Sequence, residues 1–425
     1  MWGRPTRPDR ASRCRRATNV IVREYLRQLR AKGLSYWIRL GVLLAIGGFL
    51  GHWLGEKDIW IDLRYKIYQA QQRFTARPAR AERTVLVLIQ DEEYWKGKLG
   101  RRVPIKRDYL ADLVLALTAA NPAVIALDFD LSSPTPKGDP AEHPDYQAET
   151  KTLLEAVKKA SQRTKIVLPR TVDFDEQHHY VSLSDIHDGF VFGPSKKNIY
   201  EGYIALPYDI RRVPGSLEVK GAKSSVDSLA LAIVKAYDEA ALKRVPKSDS
   251  LPFGSYLAAA EFRQLSSRDV LKRRREVLDQ LAHKIVIVGG AWHKQGYERG
   301  ELIDTYNTPV DWIGGAFIHA NYVEALLDGR AYKALPEWIV ELLVALLVIA
   351  GAIIFALEIR PSTKGLTAAV LSVSLILVSY FFLQNLGLFF DFFIPLLVVA
   401  AHFTIEKILE WREEALEYRA HQEVR

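Results

Sequence analysis

Apolar positions cluster along this chain in two ways. Four runs, at residues 36–54, 338–357, 366–383 and 388–403, are continuous enough to suit a bilayer. A hydrocarbon core takes about 20 such residues as a helix, because lipid cannot satisfy exposed backbone amides. Trp37 and Trp53 flank the first run at the depth where interfacial aromatics sit. Glu341 interrupts the second only near one end, and the residues around Asn385 and Gly387 separate the last two as a tight helical hairpin would; Asp391 can lie at headgroup depth. One span, a long stretch of mixed composition and then three spans predict a membrane protein with one large domain, residues 55–335, outside the bilayer.

Within that stretch the pattern changes. Residues 55–80, with Ile61, Leu63, Tyr65, Ile67 and Tyr68, read as a membrane-proximal helix leading to an Arg-rich loop at 77–83. Thr-Val-Leu-Val-Leu-Ile-Gln at 84–90 is short, branched and almost wholly apolar, the mark of a strand buried on both faces of a parallel sheet. After Pro104, Leu110, Leu113, Val114 and Leu117 recur at helical spacing, and Asn121-Pro122 stops the helix. A second buried strand at 123–129 completes a β-α-β unit. The alternation continues with a helix at 146–160, a short strand at 165–168, a helix at 226–237, a strand at 284–289 and a helix at 316–327. It predicts an α/β fold with a mainly parallel extracytoplasmic sheet flanked by helices, plus four transmembrane α-helices. Residues 132–144, rich in Pro, Ser and Asp, read as a loop. In residues 404–425, Ile408, Trp411, Ala415 and Tyr418 follow a 3-4-3 spacing that suits a coiled-coil seam or a helix lying on the membrane surface.

Charge orients this frame. Residues 1–39 hold eleven Arg or Lys against Asp9 and Glu24, more than the chain's whole formal net charge of +8. The positive-inside bias places the basic tail, residues 1–35, in the cytoplasm, and the 360–364 loop joins it after two crossings. Residues 55–335 are then extracytoplasmic, and the 404–425 tail returns inside a multi-pass protein of the cell (inner) membrane. A cleavable signal peptide has a short basic region and a small-residue cleavage site; a long basic tail before the apolar run indicates an uncleaved anchor. The same cations lie beside a bilayer whose anionic lipids attract them, so lipid and not nucleic acid is the expected partner. The one cysteine, Cys14, lies in the tail. The external domain therefore has no disulfide and relies on its core, which a stretch of that length can supply.

Open α/β sheets bind ligands beyond the carboxyl ends of their strands. Here those ends carry Asp91, then Asp128 and Asp130, then Gly289-Gly290. Asp128 and Asp130, two apart, point the same way and suit a cation or a polar ligand such as a hydroxyl or amine. Equally, Asp130 suits capping of local loop amides and Asp128 an internal hydrogen-bond acceptor. The glycine pair lacks any phosphate-binding signature and reads as a turn. His178, His179 and His187 share an acidic loop with Asp173, Asp175, Glu176 and Asp185, but without the spacing of a zinc site. His319 sits among apolar neighbours, as a structural histidine does, and Ser255 has no nucleophile-elbow context. No metal, no cofactor and no catalytic set is expected, so the chain does not read as an enzyme.

Several segments, taken in order, resemble the extracytoplasmic sensor family called CHASE, type two. They are Asp62-Leu63-Arg64, the strand ending Leu88-Ile89-Gln90-Asp91, Val103-Pro104-Ile105-Lys106-Arg107, the stretch from Asn121 to Asp130, and Pro207 to Arg212, whose Asp-x-Arg-Arg is one residue shorter than the family's. Lys284 to Gly289, Asp304 with Thr308-Pro309, Gly314 to Asn321 and Ala325 to Gly329 follow. The first strand continues into Glu92 where the family usually has a second Asp. The resemblance covers roughly residues 55–335 and implies a ligand-sensing domain coupled through the following spans to an intracellular effector, commonly a cyclase or kinase. Only residues 404–425 follow the last span, so the expected effector is a separate protein, and a homodimer would make the movement readable. The crevice acids and the motif residues form the candidate ligand-binding set: Asp91, Arg107, Asp128, Asp130, Thr308 and His319. A structural or assembly subunit, and an extracytoplasmic enzyme working at Asp91, Asp128 and Asp130, are the competing readings. Four spans without a buried charge pair or broken helix offer no transport pathway.

Overall fold

A computed structural model describes residues 80–331 except 133–144, 184–189, 208–209, 211, 221–224, 246–249, 253–255 and 309, then residues 361–382 and scattered positions elsewhere. The chain divides into two compact units, Tyr68–Ala334 and a second made of Met1–Ile67 with Leu335–Arg425. The expected spans at 36–54 and 388–403, the membrane-proximal helix and the 132–144 loop lie almost wholly outside the described residues; within 338–357 the described positions, 338–339, 342–343, 345–346 and 349–350, are helical.

The first unit is built on one sheet. Its strands are β1 (Thr84–Gln90), β2 (Val124–Leu127), β3 (Lys165–Phe174), β4 (Tyr180–Leu183), β5 (Ile199–Tyr203), β6 (Arg263–Ser266) and β7 (Ile285–Ala291), in the spatial order β6-β1-β7-β2-β3. Beyond β3, its first half pairs in parallel with β5 and its second half antiparallel with β4. All other ladders are parallel. The helices are α1 (Arg107–Thr118), α2 (Tyr146–Ala160), α3 (Leu229–Tyr237), α4 (Ser267–Leu271) and α5 (Gly315–Leu327).

Two faces of the sheet carry two cores. On β1, Val85, Val87 and Ile89 pack with Leu110, Leu113 and Leu117 of α1 and Leu153 and Val157 of α2. Leu86 and Leu88 pack on the other side with Ile233 of α3 and Ile318 and Tyr322 of α5. Period-two alternation thus serves both faces, which is why β1 contains no polar residue between Thr84 and Gln90. Each fully buried Leu or Ile contributes roughly 1.5–3 kcal/mol of transfer free energy.

Four sequence expectations change. The predicted β-α-β unit exists, but β7 lies between its two strands. Gly289 and Gly290 belong to β7 and pair with Leu88 and Ile89 instead of forming a turn. The 226–237 helix starts at Leu229, because Ser228 caps it by accepting from Leu231 N, and Val226–Asp227 form a short strand. β3 extends six residues past its expected end at Leu168 to meet β4.

In the second unit, a helix at Pro361–Phe381 covers most of the expected third span. Leu366, Val370, Val373, Leu377 and Phe381 are exposed on it. Among the described residues no helix is long and apolar enough to cross a membrane.

One carboxylate ties the beginning of the sheet to its last helix. Glu324 of α5 is buried and its Oε1 accepts from the backbone N–H of Arg83 at 3.0 Å and of Thr84 at 2.8 Å, while Arg83 also reaches Asp328 at 2.7 Å. Glu324→Ala leaves both amides without their acceptor and is expected to cost about 2–4 kcal/mol. Chemical denaturation of the full chain measures this as a lower midpoint with an unchanged slope.

Candidate functional site

A cavity of about 630 Å³ opens beyond the carboxyl ends of β2, β3, β5 and β7. The sequence builds it from remote pieces. β2 stops at Leu127, yet the N–H of Asp128 still donates to Val288 O at 2.9 Å, so β7 holds the backbone one residue beyond the strand. The Asp128 side chain reaches the cavity while only 9 % exposed. Among the described residues nothing donates a hydrogen bond to it. His319 Nε2 lies 3.6 Å from Asp128 Oδ1 but 3.2 Å from Ile204 O, which accepts from the ring N–H. His319 Nδ1 is buried and unpartnered. Burial lowers the His319 pKa to about 4, against the Ile204 hydrogen bond, so the ring is neutral near pH 7.

Asp304 is the second acid at this wall. It precedes the hairpin of β8 (Thr305–Asn307) and β9 (Trp312–Gly314) and takes a left-handed backbone, φ 54°, held by Gly315 N–H donating to its carbonyl at 2.8 Å. Tyr306 OH donates to its Oδ1 at 2.8 Å. Burial pushes the Asp304 carboxyl above its usual range, opposed by Tyr306 and Lys294. Burial first, and then the charge of Asp304, push Asp128 up to about 8. Two glycines allow the crowding. A Cβ on Gly315 would lie 2.0 Å from Asp304 Oδ2, and one on Gly289 would lie 2.5 Å from Ala316 Cβ. The lining also includes an aromatic pair: Tyr94 and Trp292 stack at 4.3 Å with their planes 12° apart.

The structure brings three of the six sequence candidates together. Asp128 and Asp130 line the cavity, and His319 stands behind Asp128. Asp130 is an exposed loop cap, its Oδ1 accepting from Ser132 N at 2.8 Å, Ser132 Oγ at 2.5 Å and Thr171 Oγ1 at 2.7 Å. The other three sit elsewhere. Asp91 accepts from the backbone of His293 and Glu298 and pairs with His293 Nδ1 at 2.6 Å; burial raises its pKa, but these bonds prevail and hold it below the usual range. Buried Arg107 donates to Thr150, Tyr146 and the carbonyl of Leu131 and stacks over the Tyr146 ring at 4.0 Å, joining α1 to α2. Thr308 closes a tight turn with Asp311. Sequence reasoning did not select Asp304, Tyr306, Thr171 or Trp292, which also line the cavity. The one available signal was Asp304, within a motif segment.

A family model described as CHASE2 domain matches residues 41–354, well over half of the chain. No curated protein and no solved structure matches it.

The two shifted groups predict a pH profile. Between 3.8 and about 8 the folded chain holds a proton on Asp128 that the unfolded chain releases, so stability falls as pH rises through that window. Between about 4 and 6.5 the unfolded chain protonates His319 and the folded chain does not, which gives the opposite slope. The two offset each other below pH 6.5, leaving a decline from 6.5 to about 8; Asp304, also raised, gives a slope of the same sign above 3.8. Melting of the full chain across this range is expected to show that decline and Asp128→Asn to reduce it, with the variant the more stable protein at pH 8.

Proposed function

The chain belongs to the CHASE2 domain family, a family of sensor domains, and we propose that it is a membrane-anchored sensor, without turnover of its own, that binds a small molecule in the cavity at Asp128. The observation that carries this reading is a largely buried carboxyl that accepts no hydrogen bond among the described residues, at a cavity of ligand size at the strand ends. Strongly perturbed acids in clefts cluster at functional sites.

α5 supplies the route for a signal. Ala316, in its first turn, lines the cavity, and Glu324, near its end, holds Arg83 and Thr84 at the start of β1. Its thirteen residues span about 20 Å as one rigid element. A ligand that binds one position of α5 better than another shifts the population between them. The movement is delivered where the chain enters and leaves the sensor unit, close in sequence to the predicted spans at 36–54 and 338–357. Four membrane spans, cytoplasmic ends and an effector on a separate protein complete the proposal. The basic 1–39 segment, the apolar runs and the exposed apolar row from Leu366 to Phe381 support the membrane part.

Two experiments test this. A small-molecule extract of the producing cells is expected to raise the melting temperature of the full-length protein by on the order of 5 °C, as saturation at about 100 times Kd would. Thr171→Trp, which fills the cavity from β3, is expected to remove the shift; an equal shift in that variant contradicts the reading. For topology, a membrane-impermeant maleimide on spheroplasts is expected to label Ser225→Cys, an exposed position of the sensor unit, and to spare Cys14. Reversed labelling contradicts the orientation.

A further inference from the structure

We propose that the ligand of this cavity is an organic ammonium compound, a protonated amine on an apolar body, held between Asp128 and Asp304 with its body against Tyr94 and Trp292. The inference rests on the sensory reading above and names the chemistry of its ligand. Three carboxylates line the cavity, from Asp128, Asp130 and Asp304. Among the described residues the one cationic side chain in its wall, Arg102, is already forked onto Glu149. The hydroxyls of Tyr306 and Thr171 and that of Ser132 donate to Asp304 and Asp130. Among the described residues none donates to Asp128, and an ammonium N–H supplies such a donor. A carboxylate or phosphate ligand would instead meet three acids.

A bare metal ion fits poorly. Calcium takes six to eight oxygen ligands, and among the described residues no three His, Cys, Asp or Glu side chains converge to hold a metal. Much of the remaining wall is apolar, from Ile105, Phe129, Leu206 and Ile303, and the volume lies within the range of small-molecule sites. Tyr94 and Trp292, stacked on each other and nearly buried, add aromatic carbon to that apolar wall. Docking an ammonium between the two acids favours their ionised forms, so binding expels the proton that Asp128 holds when the cavity is free.

Matched probes test the charge requirement. Isothermal titration of the full-length protein in lipid nanodiscs is carried out with phenethylamine, 2-phenylethanol and 3-phenylpropanoate, which share one body and differ in head group. Phenethylamine is expected to bind at least tenfold more tightly than the alcohol, the carboxylate not at all, and the amine's affinity to fall severalfold from pH 7.5 to pH 5.5. Asp128→Asn and Asp304→Asn, each first checked for an intact melting transition, are expected to lose at least tenfold. Equal binding of the alcohol, binding of the carboxylate, unaltered amine binding in both variants, or binding of none of the three overturns the assignment. The extract experiment with Thr171→Trp judges the sensory reading separately, since a cavity that responds to extract and rejects phenethylamine is a sensor for another class of ligand.

Discussion

The insertion of β7 between β1 and β2 is the constraint on which the rest of the sensor unit depends. Ile285 to Val288 are fully buried because a strand stands on either side and a helical layer on each face. A parallel strand in that position needs both ladders satisfied and both faces covered. The chain reaches it only after completing the β2, β3 and β5 half of the sheet and returning to β6 at the far edge. Immediately after β7 come Trp292, Asp304, the β8-β9 hairpin and α5. The late strand therefore carries its following segments over the ends of strands laid down much earlier. At the edge of a sheet Asp128 would face water; under that cover it is desolvated and left beside a second acid.

The result is a local conflict inside a consistent fold. Helix caps, strand alternation and the Glu324 and Arg107 networks all point to one structure, and their buried polar groups are largely paired. Among the described residues the exceptions are Thr84 Oγ1, Arg107 Nε and His319 Nδ1, and beside that histidine Asp128 accepts no hydrogen bond. A desolvated carboxylate without a donor lowers stability at neutral pH and survives where something outside the chain completes it. α5 connects that unfinished site to the point where the chain enters the sheet, so one helix answers both to the cavity and to the Glu324 clamp.

Elements with a single dominant pattern were legible in the sequence. β1 and α2 occupy the residues that their apolar spacing indicates, because burial on two faces or one leaves little freedom in residue type. β6 was illegible: Arg263-Gln264-Leu265-Ser266 is a half-exposed edge whose strand character comes from pairing with Val85 to Leu88. The strand order was hidden for the same reason, since β7 carries no mark of which neighbours it will separate. Asp128 was visible as an acid at a strand end. Its perturbation was not, because that arises through space from Asp304 and from the cover of α5. Asp91 looked like a site residue as an acid at a strand end and Arg107 as part of a family-like segment, and here their charges are spent on Leu131, Tyr146 and His293.

The central claim is that Asp128 is a desolvated acid awaiting a partner. Infrared difference spectroscopy of the full-length protein against Asp128→Asn addresses it directly. The carbonyl stretch of a protonated carboxyl is expected at pH 6, fading as the pH is raised past about 8. A spectrum with no such band at pH 6, showing an ionised Asp128, would contradict this claim.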